Sequence, residues 1–311
     1  MRTLLTSCAL SLMLASTLSA QTKSLAERLG HPRDAKLLIL HADDLGVAHA
    51  VNAASLEALE RGAISSASVM MPTPWVTEVA AWARAHPEHD LGLHLTLTSE
   101  WKSYRWGSVA PADRVPSLLD ASGTFPSDVP PVVARAKPAE VELELRAQVE
   151  RALAIGLRPT HLDSHMGASF ASPVLIATYV KVARAYDLPF LSVRGDPRAT
   201  GMGLTDRDVV LDAVVIAGAD VPRDGWTKFY VDAVKSLKPG LTEMIVHLGR
   251  DDAELQAVTV DHEPYGSAWR QRDFDVVTSA AFKQALKDNG VVLVTWRDLA
   301  RVARLPERSA P

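Results

Sequence analysis

The sequence predicts an α/β fold: a distorted or incomplete (β/α) barrel of seven or eight parallel strands with one long loop insertion. Short apolar runs alternate with stretches of helical apolar spacing from about residue 36 to residue 305, and such alternation makes the strands parallel. No linker or break in composition divides this stretch, so a closed or nearly closed ring fits it better than two domains. An open doubly wound sheet is the other arrangement the pattern allows. The regularity fails only from Glu100 to about Lys137. That segment is too long for an ordinary connection and has the length of a lid or binding loop.

Along the chain, residues 1–20 read as a signal peptide. Arg2 gives the positive start, Leu4 to Leu14 is largely apolar, and Leu18-Ser19-Ala20 offers a small-residue cleavage site. An amphipathic helix is the alternative, and the run is too short to span a bilayer. Cleavage would place the protein in the periplasm or outside the cell. It would also remove Cys8, the one cysteine, and leave no thiol chemistry.

Residues 21–35 form a polar lead-in to a barrel domain over 36–305. The first strand spans Lys36–His41, and a helix from Ala48 to Arg61 carries Val51, Ala54, Leu56 and Leu59 at helical spacing. Strands follow at Ser66–Met71 and Leu91–Leu95, separated by a helix from Trp75 to Ala85 that stops before Pro87. Beyond the insertion come a helix at 139–153, a strand at 160–163, a helix at 173–186 and a strand at 190–193. A weaker βα unit covers 208–237. A strand at 242–247, a helix at 274–288, a strand at 291–295 and a helix to about Arg304 complete the chain.

The chain has 311 residues, of which 47% are hydrophobic, enough for a sizeable core. Its formal charge of −4 supplies no basic footprint, which argues against a nucleic-acid partner.

Four polar clusters each follow an apolar strand: Asp43-Asp44, His94, His161-Leu162-Asp163-Ser164-His165, and His247. In a parallel barrel the carboxyl ends of all strands lie at one rim, so these residues converge there. Two adjacent carboxylates repel unless a cation or a proton intervenes. Histidine and carboxylate suit a divalent transition metal, and Asp44, His94 and His165 would make a three-ligand set with Asp43 free as a base. Each cluster also has a structural alternative. Asp43-Asp44 could be a helix cap, His94 a core histidine, His161 and Asp163 a structural hydrogen bond, and His247 a strand end.

The clusters His41-Ala-Asp-Asp-Leu-Gly46, Gly92-Leu-His-Leu95 and Thr160-His-Leu-Asp-Ser-His165 resemble the signature of the YdjC-like carbohydrate deacetylases, which include chitooligosaccharide deacetylases. Val115-Pro-Ser-Leu-Leu119, Gly123-Thr-Phe125 and Ile245-Val-His247 extend the resemblance over residues 36–300. It implies a barrel that binds one divalent metal and removes acetyl groups from N-acetylated sugars. Carried over, Asp44, His94 and His165 are the metal ligands, Asp43 the general base and His247 the acid. More weakly, Arg194 follows a strand where related polysaccharide deacetylases keep an arginine near the base. Independently of the resemblance, His161 and Asp163 are placed to orient the ligands by hydrogen bonds. The family commonly continues past the last histidine with further histidines, where this chain has Met166-Gly167-Ala168. That departure leaves the metal set intact and puts a chitooligosaccharide substrate in doubt.

Two imidazoles favour zinc over magnesium, with other divalent ions still open. The expected partner is a small-molecule or oligosaccharide substrate. In the insertion, Trp101, Tyr104 and Trp106 either stack on sugar rings or pin the loop to the barrel. Trp269 and Arg270 are weaker site candidates, and Trp82 belongs to the core. A metal amidase or esterase on a non-sugar substrate, or a silent carbohydrate-binding barrel, would share this sequence pattern.

Overall fold

The computed structural model describes residues 23–303. The expected signal peptide, with Cys8, lies outside the described residues, as does Arg304 at the expected end of the last helix. Seven strands form one parallel sheet: β1 (Lys36–Leu45), β2 (Ser66–Val69), β3 (Leu91–Leu95), β4 (Leu162–Ser164), β5 (Ala213–Ile216), β6 (Gly240–Val246) and β7 (Val291–Leu293). Their order is β4-β3-β2-β1-β6-β5, with β7 also on β1. The gap between β4 and β5 is spanned by isolated bridges, Leu162 to Phe190 and Val193 to Leu211. The ring is thus a distorted (β/α) barrel, as expected from the alternation.

The distortion lies at β1. Its lower residues Lys36–Leu38 pair with β7, and its upper residues His41–Leu45 pair with β2 on the same side. The expected strand at 190–193 forms no ladder of its own. Leu191 N–H bonds the Leu162 carbonyl and Arg194 N–H bonds that of Leu211, so each end serves a different neighbour.

Strand periodicity sorts the side chains. Leu38, Leu40 and Ala42 face outward into the cluster shared with the helices. Leu37 and Ile39 face inward, with Leu241 and Trp296, at the barrel floor. The next two inward positions of β1 are His41 and Asp43. The interior therefore changes from aliphatic to polar going up the strands.

The helices cover the outside. Pro173–Ala185 starts on a proline in its first turn, with Ser172 Oγ accepting from Leu175 N–H at 3.3 Å. The single helix expected at 274–288 is two, Ser267–Thr278 and Ala280–Asp288. Ser279 between them is extended (φ −72°, ψ 151°), and its hydroxyl caps the second helix at Phe282 N–H. Among the described residues, no helix is long and apolar enough to cross a membrane.

The insertion is packed down rather than open. It contains the short helix Val129–Arg135, and Trp101 and Trp106 are buried at 1% and 4% exposure. Trp106 Nε1 donates to the Thr98 carbonyl at 2.8 Å, and the Tyr104 hydroxyl donates to that of Val47 at 2.5 Å. These rings pin the loop; the sugar-stacking role for Trp101 and Trp106 is corrected, because neither offers a face to the cavity.

Candidate active site

The polar clusters meet at the carboxyl end of the barrel, around a cavity of about 800 Å³. Asp43, Asp44, His94, Asp163, His165 and His247 all line it. Successive residues of a regular strand point to opposite faces, so Asp43 and Asp44 could not both do so from an unbroken β1. The strand slips register between Ala42 and Leu45, and Asp44 adopts φ 72°. This left-handed conformation is strained for a residue with a side chain, and it turns the second carboxylate back to the cavity. Gly46 follows at φ 92°, where a Cβ would sit 2.7 Å from Val76.

Asp44 Oδ1 is buried and has no hydrogen-bond partner. His94 Nε2 and His165 Nδ1 approach it at 3.4 and 3.3 Å without hydrogen-bond geometry. One atom from each of these three residues lies within 4.8 Å of the others. Their opposite edges are tied down. His94 Nδ1 donates to Asp163 Oδ1 at 2.8 Å, and His165 Nε2 donates to Glu100 Oε2 at 2.9 Å. A carboxylate behind each imidazole fixes its ring and leaves the other nitrogen facing inward, as behind metal-ligating histidines.

Two more groups among the described residues satisfy the same spacing: Asp43, His94 and Asp163, and His41, His161 and Asp163. The first shares His94 with the Asp44 set, and its Asp163 is already bonded to His94 Nδ1 at 2.8 Å. The second uses His41, whose Nε2 already contacts Asp43 Oδ1, Asp163 Oδ2 and Ser68 at 3.1–3.2 Å. The donors of Asp44, His94 and His165 fit a divalent cation on the strength of the unpartnered Asp44 oxygen.

The crowded carboxylates are offset by buried cations. Burial alone would raise Asp44, but Arg270, whose Nη2 donates to Asp44 Oδ2 at 2.7 Å, and His165 hold it well below the carboxylate range. Burial likewise opposes a charge on His41, yet Asp163 and Asp43 hold its pKa well above the usual imidazole value. Burial also opposes charge on His165, and Glu100 and Asp44 lift it to about 10. His247 goes the other way: burial pushes it down to about 4. Its Nε2 lies 3.8 Å from Asp43 Oδ2, and its backbone N–H donates to buried Asp273 at 2.9 Å.

Other candidates fall elsewhere. Arg194 is exposed and pairs with Asp212 at 2.8 Å, outside the cavity; that assignment is corrected, because the arginine beside the paired aspartates is Arg270. His161 is buried beneath the site, stacked on Trp296. It fits there because a Cβ at Gly92 would come within 2.3 Å of its ring. Trp269 packs edge-on against Trp226 in the interior.

Glu100, His41, Glu243 and Asp273 carried no assignment from the sequence. His41 and Glu243 had a usable signal. His41 lies two residues before Asp43, and Glu243 four before His247, each on the inward face of its strand. Glu100 and Asp273 lie in a loop and a helix, where no periodicity points to the cavity.

Comparison with known proteins agrees on the fold. A family model described as YdjC-like protein matches residues 37–288. A carbohydrate deacetylase of Geobacillus stearothermophilus is 30% identical over 269 residues, covering 85% of this chain and 98% of the relative. A chitooligosaccharide deacetylase of Klebsiella pneumoniae is 26% identical over 275 residues, covering 85% and 99%. A crystal structure from Enterococcus faecalis, described as a candidate cellobiose-phosphate cleavage protein, superposes with a TM-score of 0.73 at 27% identity. It covers 86% of this chain and 99% of that one.

Proposed function

The chain belongs to the YdjC-like family, and from that membership we propose that it is a metal-dependent hydrolase removing acetyl groups from N-acetylated carbohydrates. The observation that carries the proposal is the unpartnered Asp44 Oδ1 between two imidazole nitrogens, each backed by a carboxylate. Asp44, His94 and His165 would hold one divalent ion, most suitably zinc given two imidazoles. When bound, that ion supplies Lewis acidity to water and to the amide carbonyl.

The chain's own residues divide the proton work. Asp43 lines the cavity beside Asp44 and takes a proton from water. His41 and Ser68 hold Asp43 Oδ1 at 3.2 and 3.5 Å, which orients the carboxylate. Burial keeps His247 neutral at pH 7, so the proton it delivers to the departing amine must arrive during turnover. Asp43 Oδ2, 3.8 Å away, is placed to supply it. Arg270 keeps Asp44 ionised.

Residues 1–20 are proposed to direct export, which an N-terminal sequence of the protein recovered from its host would test. The deciding experiment for the activity is acetate release from a panel of N-acetylated sugars, peptides and esters, with zinc and after chelation. Release from sugars that chelation abolishes supports the proposal. Release from peptides or esters alone, or release indifferent to chelation, overturns it.

A further inference from the structure

The cavity has two unlike sides. Around the paired aspartates it is polar, with Glu100, His262 and Arg270 in the wall. Along β5 and β6, beside β1, it is aliphatic, built by Val214, Ile216 and Ile245; Leu191 and Val193 also line it, in company with Phe170, Asp196 and Arg198, as does Tyr265. Ile216 and Ile245 are paired neighbours on β5 and β6, and Val214 and Ile216 share one face of β5. At the mouth, Ile216 and Met166 are 41% and 43% exposed.

The Val214–Ile216–Ile245 face is poorly matched to a bare sugar. Hydroxyl groups laid against it would lose water without gaining hydrogen bonds. Branched aliphatic side chains also lack the flat ring faces that stack on pyranoses. The cavity volume of about 800 Å³ is toward the upper end of small-molecule clefts, so there is room for more than one acetylated ring.

The wall has a definite side relative to the chemistry. His247 follows Ile245 by two residues and continues the same face of the chain. If His247 protonates the departing amine, the amine and the sugar that bears it lie toward β5 and β6. The acyl group then lies toward Asp44, His94 and His165. Resting on the deacetylase reading, we propose that this enzyme's substrate is an N-acetylated amino sugar carrying a hydrocarbon substituent on the sugar, seated on the Val214–Ile216–Ile245 wall. Met166, at the mouth of the cavity, belongs to this adaptation.

The test compares hexyl and methyl glycosides of N-acetylglucosamine, by acetate release from the zinc-loaded enzyme and by calorimetric binding to the metal-free protein. The hexyl glycoside is expected to show at least about tenfold higher kcat/KM and tighter binding, which burial of two methylenes supplies. Ile216→Asp, at a half-open strand position that tolerates a polar side chain, is expected to cut that ratio severalfold. Equal kcat/KM and equal binding for the two glycosides would overturn the inference while leaving deacetylation standing. A binding preference for hexyl, with no acetate released from either glycoside or from any sugar of the N-acetylated panel, would support the wall and remove the deacetylase reading instead. A ratio untouched by Ile216→Asp would place the hydrocarbon elsewhere and overturn the assignment.

Discussion

Glu100 Oε2 lies 2.9 Å from His165 Nε2, and the two are buried together at the edge of the cavity. The contact fixes which nitrogen of His165 faces Asp44. It also charges the ring, since Glu100 and Asp44 outweigh burial and lift His165 to about 10. A cation bound by Nδ1 must displace that proton, so zinc uptake at pH 7 is expected to release ~1 proton and to weaken as pH falls. Glu100→Gln keeps the size of the side chain and loses its charge. It is expected to lower zinc affinity by roughly 10–100-fold, read by chelator competition. Affinity equal to wild type would show that Glu100 does not support a ligand.

Asp43 and Asp44 are adjacent and both reach the cavity, but their partners differ. Asp43 meets His41 and Ser68, whereas Asp44 meets Arg270 and leaves one oxygen bare. Asp43→Asn is therefore expected to bind zinc as wild type does while kcat falls by roughly 10²–10⁴. Asp44→Asn should lose zinc itself. Full turnover by the Asp43 variant would take the base role away from it.

The barrel was legible because its strands are short apolar runs punctuated by glycine and proline, and period-2 patterns put whole columns of side chains on one face. His94, Asp163, His165 and His247 could be found for the same reason, each being the inward residue at the top of a strand. What escaped, or was marked only faintly as Arg270 was, came from tertiary packing. Arg270 reaches Asp44 from a helix 226 residues away, and Arg194, better placed in sequence, turns to Asp212 at the surface. Trp101 and Trp106 look like a binding platform in a polar loop, yet burying large rings outweighs exposing them. The left-handed turn at Asp44 breaks a rule of strand geometry, and no local sequence signal marks an aspartate for it.

Arg270 is buried at 1% exposure, with Nη2 on Asp44 Oδ2 and Nε on the Tyr265 carbonyl at 2.6 Å. Arg270→Met would preserve much of the stem and strand the buried carboxylate. Breaking such a pair from one side costs about 3–5 kcal/mol, a large share of the roughly 5–15 kcal/mol that holds a domain together. The metal-free variant should melt well below wild type, and saturating zinc should restore part of the loss by binding the folded state alone. An unchanged melting temperature in the metal-free protein would mean Asp44 is not held by Arg270.

Glu243 sits inside the barrel below the site, with neither carboxylate oxygen hydrogen-bonded. Burial raises it to about 8 against the pull of His41, while the unfolded chain titrates near 4.5. Between those values the folded state holds a proton that the unfolded state has lost. This contribution is therefore fully present below about 4.5 and drains away as pH rises toward 8, by up to ~1.4 kcal/mol per pH unit. Glu243→Gln keeps the shape and cannot ionise. Its melting temperature should rise relative to wild type on going from pH 5 to pH 8. The difference isolates Glu243 from Asp273, which burial also raises, to about 6, and which is common to both proteins. Melting curves of the two proteins at three pH values decide it, and parallel pH dependences would mean that Glu243 does not take up the extra proton.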